Sequence, residues 1–197
     1  MAVAANALLT LVEFNGFIDN AVGETSKDTL NTKCIDAASQ DIETECGRMF
    51  ITPSAAIQEI FSGNGTYSQY LKNRPIVAAS LTDISYRIGQ TWTTITSSWN
   101  YTTDLTAGRV YFTDGNLWTP GDDNWRVTYK YGWAVASVPG DLKMLCARLA
   151  ALYKAQFEGH LHGEANKAFG DTILTFNFEA ERSAILRELI KYKRIVA

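Results

Sequence analysis

The period of the sequence changes twice, and that double change restricts the possible folds more than any other feature. From residue 25 to 48 and just beyond, Leu30, Cys34, Ala37, Ala38, Ile42, Cys46 and Met49 recur at spacings of three and four. That spacing lays one apolar stripe along a long helix. Pro53 ends it. Over 57–136 the helical period is gone. Segments 57–62, 67–71, 76–87, 92–99, 109–113 and 125–131 are rich in Thr, Ile, Val, Tyr and Trp, residues that suit a pleated, half-buried surface. Gly63-Asn64-Gly65, Asn73-Arg74-Pro75, 104–108 and Asp114-Gly115-Asn116 separate them and read as hairpins and turns. The helical period then returns in Leu142, Leu145, Cys146, Leu149, Leu152, Tyr153 and Phe157.

This order predicts an α+β fold. An antiparallel helical bundle carries an inserted antiparallel β-sheet of about six strands and a C-terminal helical arm. The organisation is one domain with an insertion. Residues 1–56 form the first part of the helical body, 57–136 the inserted β region, and 137–160 the long central helix. Residues 161–197 form an extension and a C-terminal docking helix. The length of 197 residues suits one domain, which buries roughly 70% of its unfolded surface without disulfides or metal.

Local signals set the expected helix ends. A first short helix covers 6–18, with Leu8, Leu9, Leu11, Val12 and Phe14 as its apolar set. Thr25 and Asp28 resemble a capping box at the start of the second helix. Pro139 stands near the first turn of the third, with Gly159 as its C-cap. Residues 160–170 read as loop and 171–176 as extended. Asn177 is a good N-cap for a last helix reaching about 195, with Phe178, Ile185, Leu186, Leu189 and Ile190 as its stripe.

Three cysteines are too few, and odd in number, for a disulfide scaffold. Cys34 and Cys46 lie about 18 Å apart on one helix, so they cannot pair and read as reduced core thiols. The start, MAVAANALLTLVEF, lacks the basic and apolar regions of a signal peptide, and no run approaches the roughly 20 apolar residues of a membrane span. A reducing, aqueous compartment is expected.

The net charge is −3, which argues against a general nucleic-acid binder. It is unevenly spread. Residues 1–56 hold eight acids and three bases, 57–136 six of each, and 137–197 seven acids and nine bases. An acidic front and a basic back suit head-to-tail association.

Catalytic signals are weak. His160, His162 and Glu164 are zinc-ligand types, but two histidines two residues apart beside glycines lack the helical i, i+4 geometry of a metalloprotease. Cys146 lies within a helical core stripe, and Gly63-Asn64-Gly65-Thr66 lacks the lysine of a phosphate loop. The chain is read as no enzyme, with no cofactor and no metal. Eleven aromatics between Tyr86 and Trp133, with Trp92, Trp99, Trp118 and Trp125 among them, open an alternative. Exposed on a sheet, they would make a carbohydrate-binding module; buried, they fill a core.

Four segments carry a resemblance. Leu8-Leu9-Thr10-Leu11 precedes a long helix ending Ile42-Glu43-Thr44-Glu45-Cys46-Gly47-Arg48-Met49-Phe50. Phe61-Ser62-Gly63-Asn64-Gly65 is followed by Leu71-Lys72-Asn73-Arg74-Pro75-Ile76. Val127-Thr128-Tyr129-Lys130-Tyr131-Gly132-Trp133 leads to Val138-Pro139-Gly140-Asp141-Leu142-Lys143. The last helix ends in a tyrosine and basic residues. In this order they resemble the head–tail connector (adaptor) proteins of tailed bacteriophages, with Ser62 where that family usually has Asp. The resemblance implies a structural virion protein at the head–tail interface, assembled in the host cytoplasm. It would form a homo-oligomeric ring, usually of twelve copies, that docks on the portal protein. The ring would extend the DNA channel and present a surface to a tail or further connector protein. DNA would pass without sequence-specific binding, and no membrane is involved. On this reading Ile185, Arg187, Leu189, Lys191, Tyr192, Lys193 and Arg194 dock on the portal. Asp28, Asp36, Asp41, Glu43 and Glu45 line an acidic channel or a subunit contact.

Overall fold

The structure, a computed structural model, describes residues 2–18, 25–95, 100–158, 164–169 and 172–193, with the backbone alone described for 164–169 and 172–176. The chain divides into two compact units, Met1–Arg48 with Val135–Arg194 and Met49–Ala134. The expected α+β architecture, a helical bundle with an inserted antiparallel β region, is observed.

The helical unit contains α1 (Leu11–Phe17), α2 (Asp28–Cys46), α3 (Gly140–Phe157) and α4 (Phe178–Arg187), the last continued by a 3-10 turn over Glu188–Tyr192. A capping box does exist, but at α1. Thr10 accepts from the Glu13 amide, and Glu13 accepts from the Thr10 amide at 2.8 Å. At Thr25 it does not form, because α2 starts three residues later, at Asp28, without a side-chain cap. Gly47 ends α2 in the left-handed region, φ 63°, where a side chain would be strained. Pro139 takes the N-cap place of α3. Asn177 caps α4, accepting from the Ala180 amide at 3.0 Å. The expected C-cap Gly159 lies outside the described residues.

The core of this unit follows the predicted stripes. Leu8, Leu9 and Phe14, then Cys34, Ala38, Ile42 and Cys46 are buried, and Ile35, outside the predicted stripe, joins them. So are Leu142, Leu145, Cys146, Leu149 and Leu152 of α3, and Phe178, Ile185, Leu186 and Leu189 of the C-terminal segment. Four residues of the expected stripes turn outward. Val12 is 81%, Met49 47%, Phe157 66% and Ile190 76% exposed. Phe157 is the last residue of α3, and Ile190 falls in the 3-10 turn, whose three-residue period moves it off the α-helical stripe.

All three cysteines are free and buried. Burial pushes each thiol up to about 11, so they are inert as nucleophiles at neutral pH.

Among the described residues the β unit contains seven strands: β1 (Ile57–Gly63), β2 (Ser68–Tyr70), β3 (Asp83–Ile88), β4 (Thr91–Thr94), β5 (Tyr101–Asp104), β6 (Arg109–Phe112) and β7 (Gly121–Tyr129). They make two antiparallel sheets, ordered β1-β7-β3-β4 and β2-β6-β5. The expected hairpin at Gly63-Asn64-Gly65 is not one. β1 pairs with β7 and β2 with β6, so this turn carries the chain from one sheet to the other. Its glycines are there for space and torsion. A Cβ on Gly63 would lie 1.9 Å from the Thr119 carbonyl oxygen, and Gly65 has φ +72°. The expected turn at 104–108 does join paired strands, β5 and β6, with Asp104 opposite Arg109.

The aromatics fill this unit. Trp118, Trp125 and Tyr129 are fully buried. Trp125 packs 4.8 Å from Trp118 and 4.9 Å from Tyr86 between ring centres, and its Nε1 donates to the Thr119 carbonyl at 3.1 Å. Glu59 is a buried carboxylate. It accepts the Tyr129 hydroxyl at 2.5 Å and the Lys72 amide at 3.0 Å, and so ties β1 to β7 and to the chain after β2.

Between α3 and α4 stands a hairpin of β8 (Glu164–Phe169) and β9 (Thr172–Asn177). The 171–176 segment was expected to be extended, but 164–169 was expected to be loop. Glu, Ala, Asn and Lys favour strands weakly, which is why β8 left no signal.

Candidate assembly surface

The terminal segment is bound to its own helical unit. Arg182 of α4 pairs with Asp41 of α2 at 2.7 Å, and Tyr153 of α3 donates its hydroxyl to the same carboxylate. Arg148 of α3 pairs with Glu188 at 2.8 Å. Lys191 pairs with Asp141, which also accepts the Tyr192 hydroxyl at 2.8 Å, and Lys193 pairs with Glu45. Burial and the Asp41 carboxylate raise the Tyr153 phenol to about 12.

The residues expected to dock on a portal thus divide. Ile185 and Leu189 are buried in the chain's own core at 4% and 0% exposure. Arg187, Lys191 and Lys193 are exposed and Tyr192 is half-buried. Arg194 lies outside the described residues. The acidic candidates all have partners within the chain. Asp28 accepts from Asn15, Asp36 from the Ala4 amide at 2.8 Å, and Glu43 from Asn6 at 3.0 Å; Asp41 and Glu45 hold the pairs above. Much of the acidic-front, basic-back polarity is therefore satisfied inside one subunit. The paired cations Arg148 and Arg182 had no distinguishing mark in the sequence, because the acids they meet are 40 and 141 residues away.

Two shallow grooves run along this face. One, of about 260 Å³, is lined by Phe17, Arg148, Ala151, Leu152, Glu181 and Ile185. The other, of about 190 Å³, lies beside Asp141, Met144, Leu145, Arg148, Glu188 and Lys191. Arg148, Glu188, Asp141 and Lys191 among these residues are engaged in ion pairs with one another.

Acid should loosen this face. Hydrogen bonds from Lys191 and Tyr192 hold Asp141 below its ordinary 3.8, and Lys154 and Lys27 hold Glu158 below 4.5. For Glu13, burial pushes upward, but Lys143 and Thr10 outweigh it and the net displacement is downward. A carboxyl lowered on folding stabilises above its unfolded value, and that stability is lost as pH falls through the folded one. Thermal stability is therefore expected to be flat from about pH 7 to 5 and to fall below about pH 4.5. Circular dichroism melts across that range would show it, and Asp141→Asn would remove part of the dependence.

The rings needed for sugar stacking are largely inaccessible. Trp118, Trp125, Tyr129, Tyr131 and Phe112 are core. Tyr86, Trp92, Tyr101, Tyr111 and Trp133 are half-buried, Trp92 with the Arg126 guanidinium 4.9 Å from its ring centre. Trp99 lies outside the described residues. Among the described residues of the β unit, the exposed aromatics are ones outside that set. Tyr67 and Tyr70 stand beside Arg109, whose guanidinium is 5.8 and 5.6 Å from their ring centres and 5.5 Å from that of Tyr111.

His160 and His162 also lie outside the described residues. Among the described residues, no group of three or more His, Cys, Asp or Glu side chains is placed to hold a metal ion, and no helix is long and apolar enough to cross a membrane.

No protein-family model and no curated protein matches this chain. Solved structures do. All of this chain aligns with 96% of a chain from the neck of an empty gene transfer agent (GTA) particle computed with C6 symmetry, at TM-score 0.60 and 16% identity. It aligns with 94% of a chain from the virion of the native particle at 0.59 and 17%. It also aligns with 94% of a chain from the native neck computed with C12 symmetry, at 0.54 and 18%. The fold is shared with GTA neck chains. The likeness takes in the helical body, the β insertion and the C-terminal segment together, since nothing of this chain is left over.

Proposed function

We propose that this chain is a structural connector of a phage-type virion, a head–tail adaptor whose copies form a ring against the portal. The observation that carries the reading is the likeness in fold to neck chains over the full length of this chain. The sequence resemblance to head–tail adaptors supports it as well, through segments spread along the chain in the family's order.

In this reading the ring has twelve copies, extends the DNA channel and offers its far side to a tail or further connector protein. The terminal segment meets the portal through its exposed side, Arg187, Lys191, Tyr192 and Lys193, with Arg194 following. Ile185 and Leu189 anchor that segment to its own subunit. α2, with Asp28, Asp36, Asp41, Glu43 and Glu45, borders the channel or the subunit contact, where its carboxylates discourage phosphate adhesion, since DNA binding draws on Lys and Arg.

The test is negative-stain imaging of the protein mixed with its cognate portal. An added ring of density on the portal is expected. Portals that stay bare at micromolar protein would refute the reading. Arg187→Glu should lower occupancy at least tenfold while leaving the melting profile near wild type, because Arg187 is exposed and the Lys191–Asp141 pair stays in place.

A further inference from the structure

The β8–β9 hairpin has no sheet of its own to join. Its strands pair with each other through six residues, from Glu164 opposite Asn177 to Phe169 opposite Thr172. Among the described residues no other strand pairs with either of them. A lone two-stranded hairpin is marginal in water, and among the described strands neither of its outer edges has a partner. The chain places it directly between α3 and α4.

The register makes the ribbon two-faced. Residues opposite each other share a face, and neighbours alternate. Ala165, Lys167, Phe169, Thr172, Leu174 and Phe176 therefore fall on one face, and Glu164, Asn166, Ala168, Ile173, Thr175 and Asn177 on the other. The first holds both phenylalanines and the leucine; the second is mainly polar. Six residues at about 3.3 Å each give an arm of about 20 Å, enough to reach an adjacent subunit.

We infer that these hairpins join edge to edge between copies of this chain, the β9 edge of one copy against the β8 edge of the next. The inference rests on the ring reading above. Within a copy β8 and β9 run antiparallel. Rotation to the next copy sets its β8 beside β9, again antiparallel, so the up-and-down order continues with no change of direction. A head-to-tail contact of this kind closes under rotational symmetry, and closure removes every open edge. The same rotation keeps the apolar faces together on one side of the closed ribbon. A partner with a single acceptor strand would cover one edge and leave the other open, which is why a second copy fits best.

The test uses full-length protein and single substitutions in separate copies. Asn166→Cys protein is mixed with Thr175→Cys protein, and in parallel with Ile173→Cys protein. These sample two neighbouring registers on one face. The mixtures are assembled and oxidised. A disulfide-linked dimer is expected in one mixture and in neither variant alone, because like strands of adjacent copies would be about 10 Å apart, beyond disulfide reach. Cys34, Cys46 and Cys146 are buried, and wild-type protein supplies the blank. Replacing 164–176 by a Gly/Ser linker of equal length should leave the melting temperature unchanged and abolish the oligomer. Rings that add to the portal without cross-linking in either mixture would overturn the hairpin inference alone. Cross-linked oligomers that leave portals bare would overturn the neck reading alone. Absence of any oligomer, wild type included, would overturn both.

Discussion

Truncation after Asn177 is expected to unfold the helical unit rather than release a stable body lacking an arm. The deleted segment contributes Phe178, Ile185, Leu186 and Leu189 to the core, each at most 8% exposed. Burying one such side chain stabilises by about 1.5–3 kcal/mol, so the four together contribute about 6–12 kcal/mol at most. That is comparable with the whole stability of a small domain, about 5–15 kcal/mol. The ion pairs Asp41–Arg182, Asp141–Lys191 and Glu45–Lys193 would go as well, but each is partly exposed and adds at most about 1 kcal/mol. Loss of core dominates. Far-ultraviolet circular dichroism and size exclusion of the truncated chain should show reduced helix and aggregation. A soluble monomer with a cooperative melt near that of the full chain would show that the segment is peripheral. Leu189→Ala, which leaves every charge in place, should cost about 2–5 kcal/mol.

The second large effect belongs to Trp125. It sits on β7 opposite both Phe61 of β1 and Tyr86 of β3, so three strands of the larger sheet meet at one ring. It is fully buried, lies against Trp118 and donates to the Thr119 carbonyl. Trp125→Ala should cost about 3–5 kcal/mol. For a unit of this size each kcal/mol lowers the melting temperature by about 4–8 °C. Trp92→Ala, at a half-buried site under Arg126, should cost about 1 kcal/mol or less. Thermal melts of the two variants would separate them. Equal effects would mean that the aromatic cluster is not the core it forms here. The same pair bears on carbohydrate binding, since a ring closed in on all sides cannot stack on a sugar.

The residues differ in how much of this their sequence revealed. The stripe Leu142, Leu145, Cys146, Leu149 was legible because helical periodicity is written in consecutive residues, and packing then acted on it as expected. The capping role of Asn177 was legible for the same reason. Thr25 was misleading. Its side chain and that of Asp28 have the spacing of a cap, but the helix starts later and the cap that forms is at Thr10. Gly63-Asn64-Gly65 was half legible. A turn was signalled, yet whether the flanking strands pair with each other depends on β6 and β7, some 40 to 60 residues on.

By itself, then, the sequence determined the kind of most elements and the order helix, sheet, helix, because period, caps and turn residues act within a few residues. It also determined that the cysteines would be core. Only the tertiary structure decided that the β region splits into two sheets, and that β8 and β9 pair with each other and, among the described residues, with no further strand. It alone decided that the acids of α2 meet the bases of the terminal segment within one chain. Those outcomes depend on strand partners and charges far apart in the chain, and nothing local encodes who will be next to whom.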